Sequence, residues 1–161
     1  MNRIHSSIAI MVIAAALATA ACSPQTQQIV VKEQMSAKQL NNQGVDKLDQ
    51  KDYKGAIADF SQALSLEPQN AKAYFNRGFA YYNLENYQKA SEDYAKAIEI
   101  NPSDAEAFYN RGLAYSNLDK DKAAIQDFEK AAQLYQQQGQ LDGYKDAQER
   151  IKELKQLPSA K

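Results

Sequence analysis

The sequence repeats itself with a period of 34 residues. Gly44, Gly78 and Gly112 are separated by this interval. A period of 34 residues is typical of stacked helix pairs, because a single pair cannot bury its apolar face alone. The sequence therefore predicts an all-α solenoid of three pairs. Two further sets keep the spacing: Ala56, Ala90 and Ala124, and Asp59, Asp93 and Asp127.

The three glycines need a packing reason. Gly in a helix interior costs about 0.5–1 kcal/mol relative to Ala, and here that cost recurs at one position of every repeat. A missing Cβ lets a ring from the second helix of the pair lie against the backbone of the first. The rings expected to do so share one position of the repeat: Phe60, Tyr94 and Phe128.

The boundaries of the pairs are also visible. Pro68 and Pro102 should end the second helices of the first two pairs, because Pro cannot continue a helix without kinking it. Ser36–Gln39 and Ser103–Glu106 have the spacing of a capping box, which opens a helix. The predicted units are residues 37–70, 71–104 and 105–138, with turns between paired helices at 51–52, 85–86 and 119–120.

The third unit has no Pro at the corresponding position. Its second helix is therefore predicted to continue through Gln138 and to stop at Gly139. Residues 139–161 should then add one more helix, near 142–157, with a polar surface and a single apolar stripe. Such a helix covers the open face of the last repeat; the alternative is a loose helix that binds a partner. The stripe comprises Tyr144, Ala147, Ile151 and Leu154.

These features together resemble the tetratricopeptide repeat (TPR) family over about three quarters of the chain. That family places an aromatic or large apolar residue at position 4, small residues at positions 8, 20 and 27, aromatic residues at positions 11, 17 and 24, and Pro at position 32. Position 4 holds Leu40, Tyr74 and Phe108. Position 11 departs in the first unit, where Lys47 replaces the expected aromatic residue.

The resemblance implies a concave groove lined by the first helix of each pair. In the family, positions 2, 5, 9, 12 and 13 point into it. Aromatic anchors beside amide side chains suit a peptide segment of a partner protein, although some of these rings could instead be core. The groove residues implied are Phe75, Phe79, Tyr82, Asn83, Tyr109, Leu113 and Asn117.

Some relatives bind acidic C-termini of chaperones through a two-carboxylate clamp of Lys, Asn and Arg. The corresponding residues here are Asn41, Val45, Asn76, Glu106 and Asn110. Only Asn76 fits, and Glu106 reverses a charge. The sequence does not support that specific function.

No catalytic constellation is visible, and we predict no enzyme, cofactor, metal or small-molecule substrate. The sole histidine is His5, near the N-terminus, which leaves the predicted repeats without an imidazole. The repeated aspartates are expected to be solvated or ion-paired surface residues rather than a carboxylate array. Arg77 and Arg111 are expected to pair with an acid of the neighbouring helix rather than to bind a ligand. Nucleic acid is not an expected partner, because 19 basic against 20 acidic residues give no concentrated basic face.

The chain begins with a different kind of segment. Residues 1–21 carry Arg3 and then a short apolar run, which is the layout of a secretory signal peptide. The run is too short for a membrane span. It ends at Thr19–Ser23, which resembles the lipobox of bacterial lipoproteins, with Cys22 as the lipidated residue. Thr19 departs from that pattern, and Ala18–Ala20 also fits ordinary signal peptidase.

Residues 22–36 are expected to form a flexible tether between the lipid and the repeats. The sequence thus predicts an exported, lipid-anchored, non-enzymatic scaffold that binds a protein or peptide and faces the periplasm or the cell exterior. It could serve an envelope assembly complex. The alternatives are a soluble periplasmic protein and a self-associating structural repeat protein.

Overall fold

Seven helices and no strand make up residues 35–156, the part of the chain that the structure, a computed structural model, describes. They form three consecutive pairs and a final single helix. The predicted all-α solenoid with a capping helix is confirmed. The predicted signal peptide, Cys22 and nearly all of the tether lie outside the described residues. The helices are α1 (Ala37–Asp49), α2 (Tyr53–Leu66), α3 (Ala71–Asn83), α4 (Tyr87–Ile100), α5 (Ala105–Ser116), α6 (Asp121–Gln137) and α7 (Leu141–Gln156).

Each helix packs mainly on its neighbours in the chain. The first helices of the pairs, α1, α3 and α5, also contact one another in that order. They therefore form one continuous face of the stack. We call this the groove face.

Glycine and ring fit together in all three pairs, as predicted. A Cβ built on Gly44 would lie 2.6 Å from Phe60 Cε1, and one on Gly112 would lie 2.8 Å from Phe128 Cε1. At Gly78 the distance to Tyr94 Cδ1 is 3.1 Å. The three rings are among the most buried side chains of the described chain. The close approach of a ring therefore compensates for the low helix propensity of Gly at each of these positions.

Capping explains where α1 and α5 begin. Gln39 N donates to Ser36 Oγ at 3.2 Å and Ser36 N donates to Gln39 Oε1 at 3.0 Å, so the predicted capping box is confirmed. The Ser103–Glu106 box is wrong. Asp104 caps α5 instead, accepting from Ala107 N at 3.1 Å, because the Ser103 hydroxyl donates to Asn101 Oδ1.

The turns within the pairs repeat the same backbone conformation. Lys51, Glu85 and Asp119 have φ values of 60°, 59° and 57°, which place three non-glycine residues in the left-handed region. The next amide then bonds back to the last turn, as from Asp52 N to Lys47 O at 2.8 Å. This hydrogen bond satisfies a carbonyl that the helix end leaves open.

Proline ends the second helices of the first two pairs. α2 stops at Leu66 and α4 at Ile100, two residues before Pro68 and Pro102. Without such a Pro, α6 continues to Gln137, and the chain leaves it through Gly139 at φ 72°. Both predictions are confirmed.

The last helix covers α6. Ala147 and Ile151 of α7 are buried, and Tyr144 and Leu154 pack against the same clusters. Gly143 admits the Tyr135 ring of α6, since a Cβ there would lie 2.9 Å from it. The capping prediction is confirmed, and a loosely attached α7 is not observed.

Within residues 35–156, none of the helices combines the length and the apolar character needed to cross a bilayer.

Candidate functional site

A cleft of about 490 Å³ opens on the groove face between α3 and the start of α5. Three of its lining residues, Lys72, Phe75 and Glu106, are at repeat positions expected to face the groove. The remaining lining side chains are polar apart from Ala71, so the cleft offers one ring among charges and amides. The lining residues are Ala71, Lys72, Phe75, Asn76, Asn101, Asp104 and Glu106.

Phe75 and Tyr82 of α3 are half-buried. The Phe75 ring lies 5.5 Å from that of Tyr94, and Tyr82 meets Tyr87 edge-on at 5.2 Å between centroids. The Tyr82 hydroxyl also accepts a hydrogen bond from Asn117 Nδ2 at 3.1 Å. Two predicted groove residues from successive repeats, Tyr82 and Asn117, are thus brought together.

Phe79 is the most exposed of the predicted aromatic groove residues, with 39% of its surface accessible. It lies one helical turn after Phe75, so the two rings occupy the same side of α3. Asn83 follows one turn later and is exposed, with Nδ2 donating to Phe79 O at 2.8 Å. The hydrogen bond holds the Asn83 side chain against α3.

Tyr109 and Leu113 of α5 are partly buried against the core rather than fully exposed on the groove face. The Tyr109 ring lies 5.3 Å from Phe128 and 6.5 Å from Tyr135. Leu113 packs against the same cluster as Phe128. These two side chains therefore connect α5 to the core while keeping part of their surface accessible.

The repeated arginines form ion pairs, as predicted. Arg77 donates from Nε and Nη2 to the two carboxylate oxygens of Asp93, both at 2.7 Å, and Arg111 does the same with Asp127. These bidentate contacts are charge-assisted and geometrically specific. Hydrogen bonding to the aspartate raises the pKa of each guanidinium. Arg77 also donates to Ser61 Oγ at 3.0 Å, which links α3 to the preceding pair.

The first pair uses a different ion pair, which the sequence reasoning missed. Gln43 occupies the position of the two arginines, and Lys47 Nζ lies 2.6 Å from Asp59 Oδ2 instead. The signal was present in the sequence, because Lys47 replaces an aromatic residue one helical turn after Gln43. Lys47 therefore supplies the cation that Gln43 lacks.

Asn76 lines the cleft with an amide group that has no partner. Its Nδ2 atom is buried and donates no hydrogen bond within the described chain, which is uncommon for a buried polar group. The Asn76 side chain would have to turn toward the cleft for this atom to donate to a carbonyl oxygen of a ligand. By contrast, no group of three His, Cys, Asp or Glu side chains in residues 35–156 is arranged to hold a metal ion.

Comparison with known families matches the second and third repeats individually and also a segment that spans parts of the first and second. A model described as "Tetratricopeptide repeat" matches residues 71–104 and 105–138, and one described as "TPR repeat" matches residues 46–85. Among curated proteins no significant sequence match was found.

Many solved structures share this fold. The first TPR domain of Spaghetti (RPAP3), bound to the HSP90 peptide SRMEEVD, is 26% identical, with a TM-score of 0.69 over 75% of this chain and 91% of that one. The TPR domain of Arabidopsis OM64 is 28% identical, with a TM-score of 0.69 over 76% and 96%. The second TPR domain of human RPAP3, in complex with the HSP70 peptide SGPTIEEVD, is 28% identical, with a TM-score of 0.67 over 74% and 95%.

Proposed function

Because the chain belongs to the tetratricopeptide repeat family, we propose that it is a non-enzymatic scaffold whose groove face binds a peptide segment of another protein. The observation that carries this proposal is the cleft between α3 and α5. There the Phe75 ring and the unpartnered Asn76 amide lie together, and the exposed Phe79 follows on the same side of α3. An aromatic anchor beside an amide side chain suits a peptide main chain.

Two similar solved domains support the mode of binding, since each holds a short peptide. Both peptides end in EEVD, which is strongly acidic. At the positions of the clamp that binds such ends, this chain has Val45 and Glu106. A carboxylate at Glu106 would repel an acidic terminus, so the partner here is a different class of peptide.

The proposal predicts that capture of a partner depends on Phe79. Solubilised membranes of the source cell would be passed over immobilised wild-type protein and over the Phe79→Ala variant. Leu66→Ala is the matched control, because Leu66 is 55% exposed at the end of α2, away from the groove face. We expect Phe79→Ala to lose the captured protein and Leu66→Ala to keep it. Equal capture by all three proteins would place the binding site elsewhere.

We further propose that the protein is exported and anchored by lipid on Cys22, which supports a role within an envelope assembly. The basis is the sequence: the only Cys of the chain follows the apolar run directly. Lipid chains on one residue would hold it firmly, since each buried methylene contributes about 0.8 kcal/mol. In cells fed labelled palmitate, wild-type protein should carry the label and Cys22→Ser should not. An unlabelled, soluble wild-type protein would instead favour cleavage by ordinary signal peptidase.

Self-association is the second candidate, and the described surface favours it less. The large apolar side chains exposed within residues 35–156 are Leu66, Phe79, Leu84 and Leu141. None of them lies on α1, the open end of the stack, where another copy would have to pack. Sedimentation of the Cys22→Ser protein at increasing concentration should therefore show a monomer. A mass that rises with concentration would support self-association.

A further inference from the structure

Carboxylates gather at one end of the groove. Asp104 and Glu106 line the cleft opposite the α3 side chains Lys72 and Phe75. The Asp104 side chain caps α5 by accepting a hydrogen bond from Ala107 N. Glu106 is exposed, and its side chain is in no salt bridge within the described chain. Its charge is therefore available to a ligand.

These two carboxylates give the side of the cleft at the start of α5 a negative charge. The cations nearby are fewer: Lys72 faces them across the cleft, while Arg150 is engaged by Tyr109 and Glu153.

No group of three His, Cys, Asp or Glu side chains in the described residues could hold a metal ion, so an organic cation is the better complement to these two acids. The adjoining surface is apolar, with Phe75 in the cleft and Phe79 one turn further along α3. A ligand that matches both would place a positive charge and an apolar side chain close together.

Building on the peptide-binding function proposed above, we propose that the groove selects an extended segment in which Lys or Arg stands near an apolar residue. The cation pairs with Glu106, and the apolar side chain lies on Phe75 and Phe79. The groove thereby prefers the opposite charge to that of the acidic peptides bound by the two similar domains.

Selection from a phage-displayed library of random dodecapeptides tests this preference. The target is the full chain purified in mild detergent, as wild type, as Glu106→Lys and as Glu92→Lys. Glu92 is an exposed residue of α4 outside the cleft, and its substitution makes the same change in net charge. Binding of the best wild-type peptide is then measured beside versions in which its basic residue is replaced by Gln or Glu.

We expect wild type and Glu92→Lys to enrich Lys and Arg near an apolar residue, and Glu106→Lys to enrich Asp and Glu instead. Replacing the basic residue by Gln should weaken binding to wild type by about 1.5- to 5-fold, the range for an exposed ion pair, and replacing it by Glu should weaken binding more. High salt should reduce the difference.

Two results would overturn the inference and leave the peptide-binding function intact: peptides that depend on Phe79 but are acidic or uncharged, or a charge preference that Glu106→Lys does not change. A selection that yields no peptide sensitive to Phe79→Ala would instead contradict the peptide-binding function itself.

Discussion

At the scale of single residues, the fit between glycine and ring decides whether each helix pair can close. The three pairs are not equally tight. A Cβ on Gly112 would meet Phe128 at 2.8 Å, whereas one on Gly78 would meet Tyr94 at 3.1 Å. Contacts under 3.0 Å force a shift of the ring or of the helix, and a ring buried as completely as Phe128 has little room to move.

We therefore predict that Gly112→Ala is more destabilising than Gly78→Ala. Ala gains about 0.5–1 kcal/mol of helix propensity at either site, but overpacking costs roughly 1–3 kcal/mol. Gly78→Ala should be nearly neutral, and Gly112→Ala should lower the free energy of unfolding by about 1 kcal/mol or more. Urea denaturation measures both, with Gly78→Leu as an overpacked reference. Equal stability of the two alanine variants would contradict the packing described here.

Tyr94 differs from its counterparts Phe60 and Phe128 by a hydroxyl group that is buried without a hydrogen-bond partner in the described chain. Burial raises the pKa of this phenol well above its ordinary value of 10.0. The folded state thus keeps the phenol neutral, and stability should be fully present below about pH 10 and fall as the pH rises further, because the unfolded chain then ionises.

Tyr94→Phe should remove both effects. Losing an unsatisfied buried hydroxyl should raise the free energy of unfolding by about 1 kcal/mol at pH 7. The decline above pH 10 should also become shallower than in the wild type. Urea denaturation at pH 7 and pH 10.5 provides the comparison. A less stable variant with an unchanged alkaline decline would show that the hydroxyl has a partner or that Tyr94 is exposed.

At the scale of elements, the turns within the pairs hold a non-glycine residue in the left-handed region three times. This conformation costs an L-residue roughly 1–2 kcal/mol, and Gly is free of most of that cost. Replacing such a residue by Gly would therefore stabilise the folded state. The greater freedom of Gly in the unfolded chain offsets part of this stabilisation, by about 0.4–1 kcal/mol.

Glu85→Gly is therefore predicted to stabilise the protein by up to about 1 kcal/mol. Glu85→Val should destabilise it, since a β-branched residue tolerates this backbone poorly. Thermal denaturation of the two variants gives opposite shifts in Tm if the turn has the observed conformation. Shifts of the same sign would mean that the turn adopts another one.

The elements also show what the sequence could and could not provide. The pairing of Gly44, Gly78 and Gly112 with their rings was predictable because three aligned copies define one contact. Asp104 replaced Ser103 as the helix cap because two neighbouring residues both could serve, and local hydrogen bonds chose between them. The contact between Tyr135 and Gly143 was not predictable, since α7 has no counterpart in the repeats and its placement depends on tertiary packing. The groove residues stay a prediction, because the position of a side chain on α3 or α5 does not by itself identify a ligand.

At the scale of the whole molecule, the stack has one covered end. α7 buries Ala147 and Ile151 against α6, and Tyr135 fits over Gly143. A repeat array is stabilised by each neighbouring interface, so removal of a terminal cap exposes the apolar face beneath it.

Truncation after Gln140 should accordingly destabilise the remaining repeats by roughly 3–5 kcal/mol, on the basis of about 1.5–3 kcal/mol for each large side chain exposed again. It should also promote aggregation. The control removes residues 157–161 only and should melt like the intact chain. A truncated protein with unchanged Tm would show that α7 contributes nothing to the stack.

The central claim is that the groove face, made of α1, α3 and α5, receives the partner. Amide chemical-shift mapping of the ¹⁵N-labelled Cys22→Ser protein, titrated with a peptide from the selection described above, tests it most directly. We predict saturable shifts concentrated around Phe75, Phe79 and Glu106, and their loss in Phe79→Ala. Shifts confined to α2, α4 and α6 would contradict the claim.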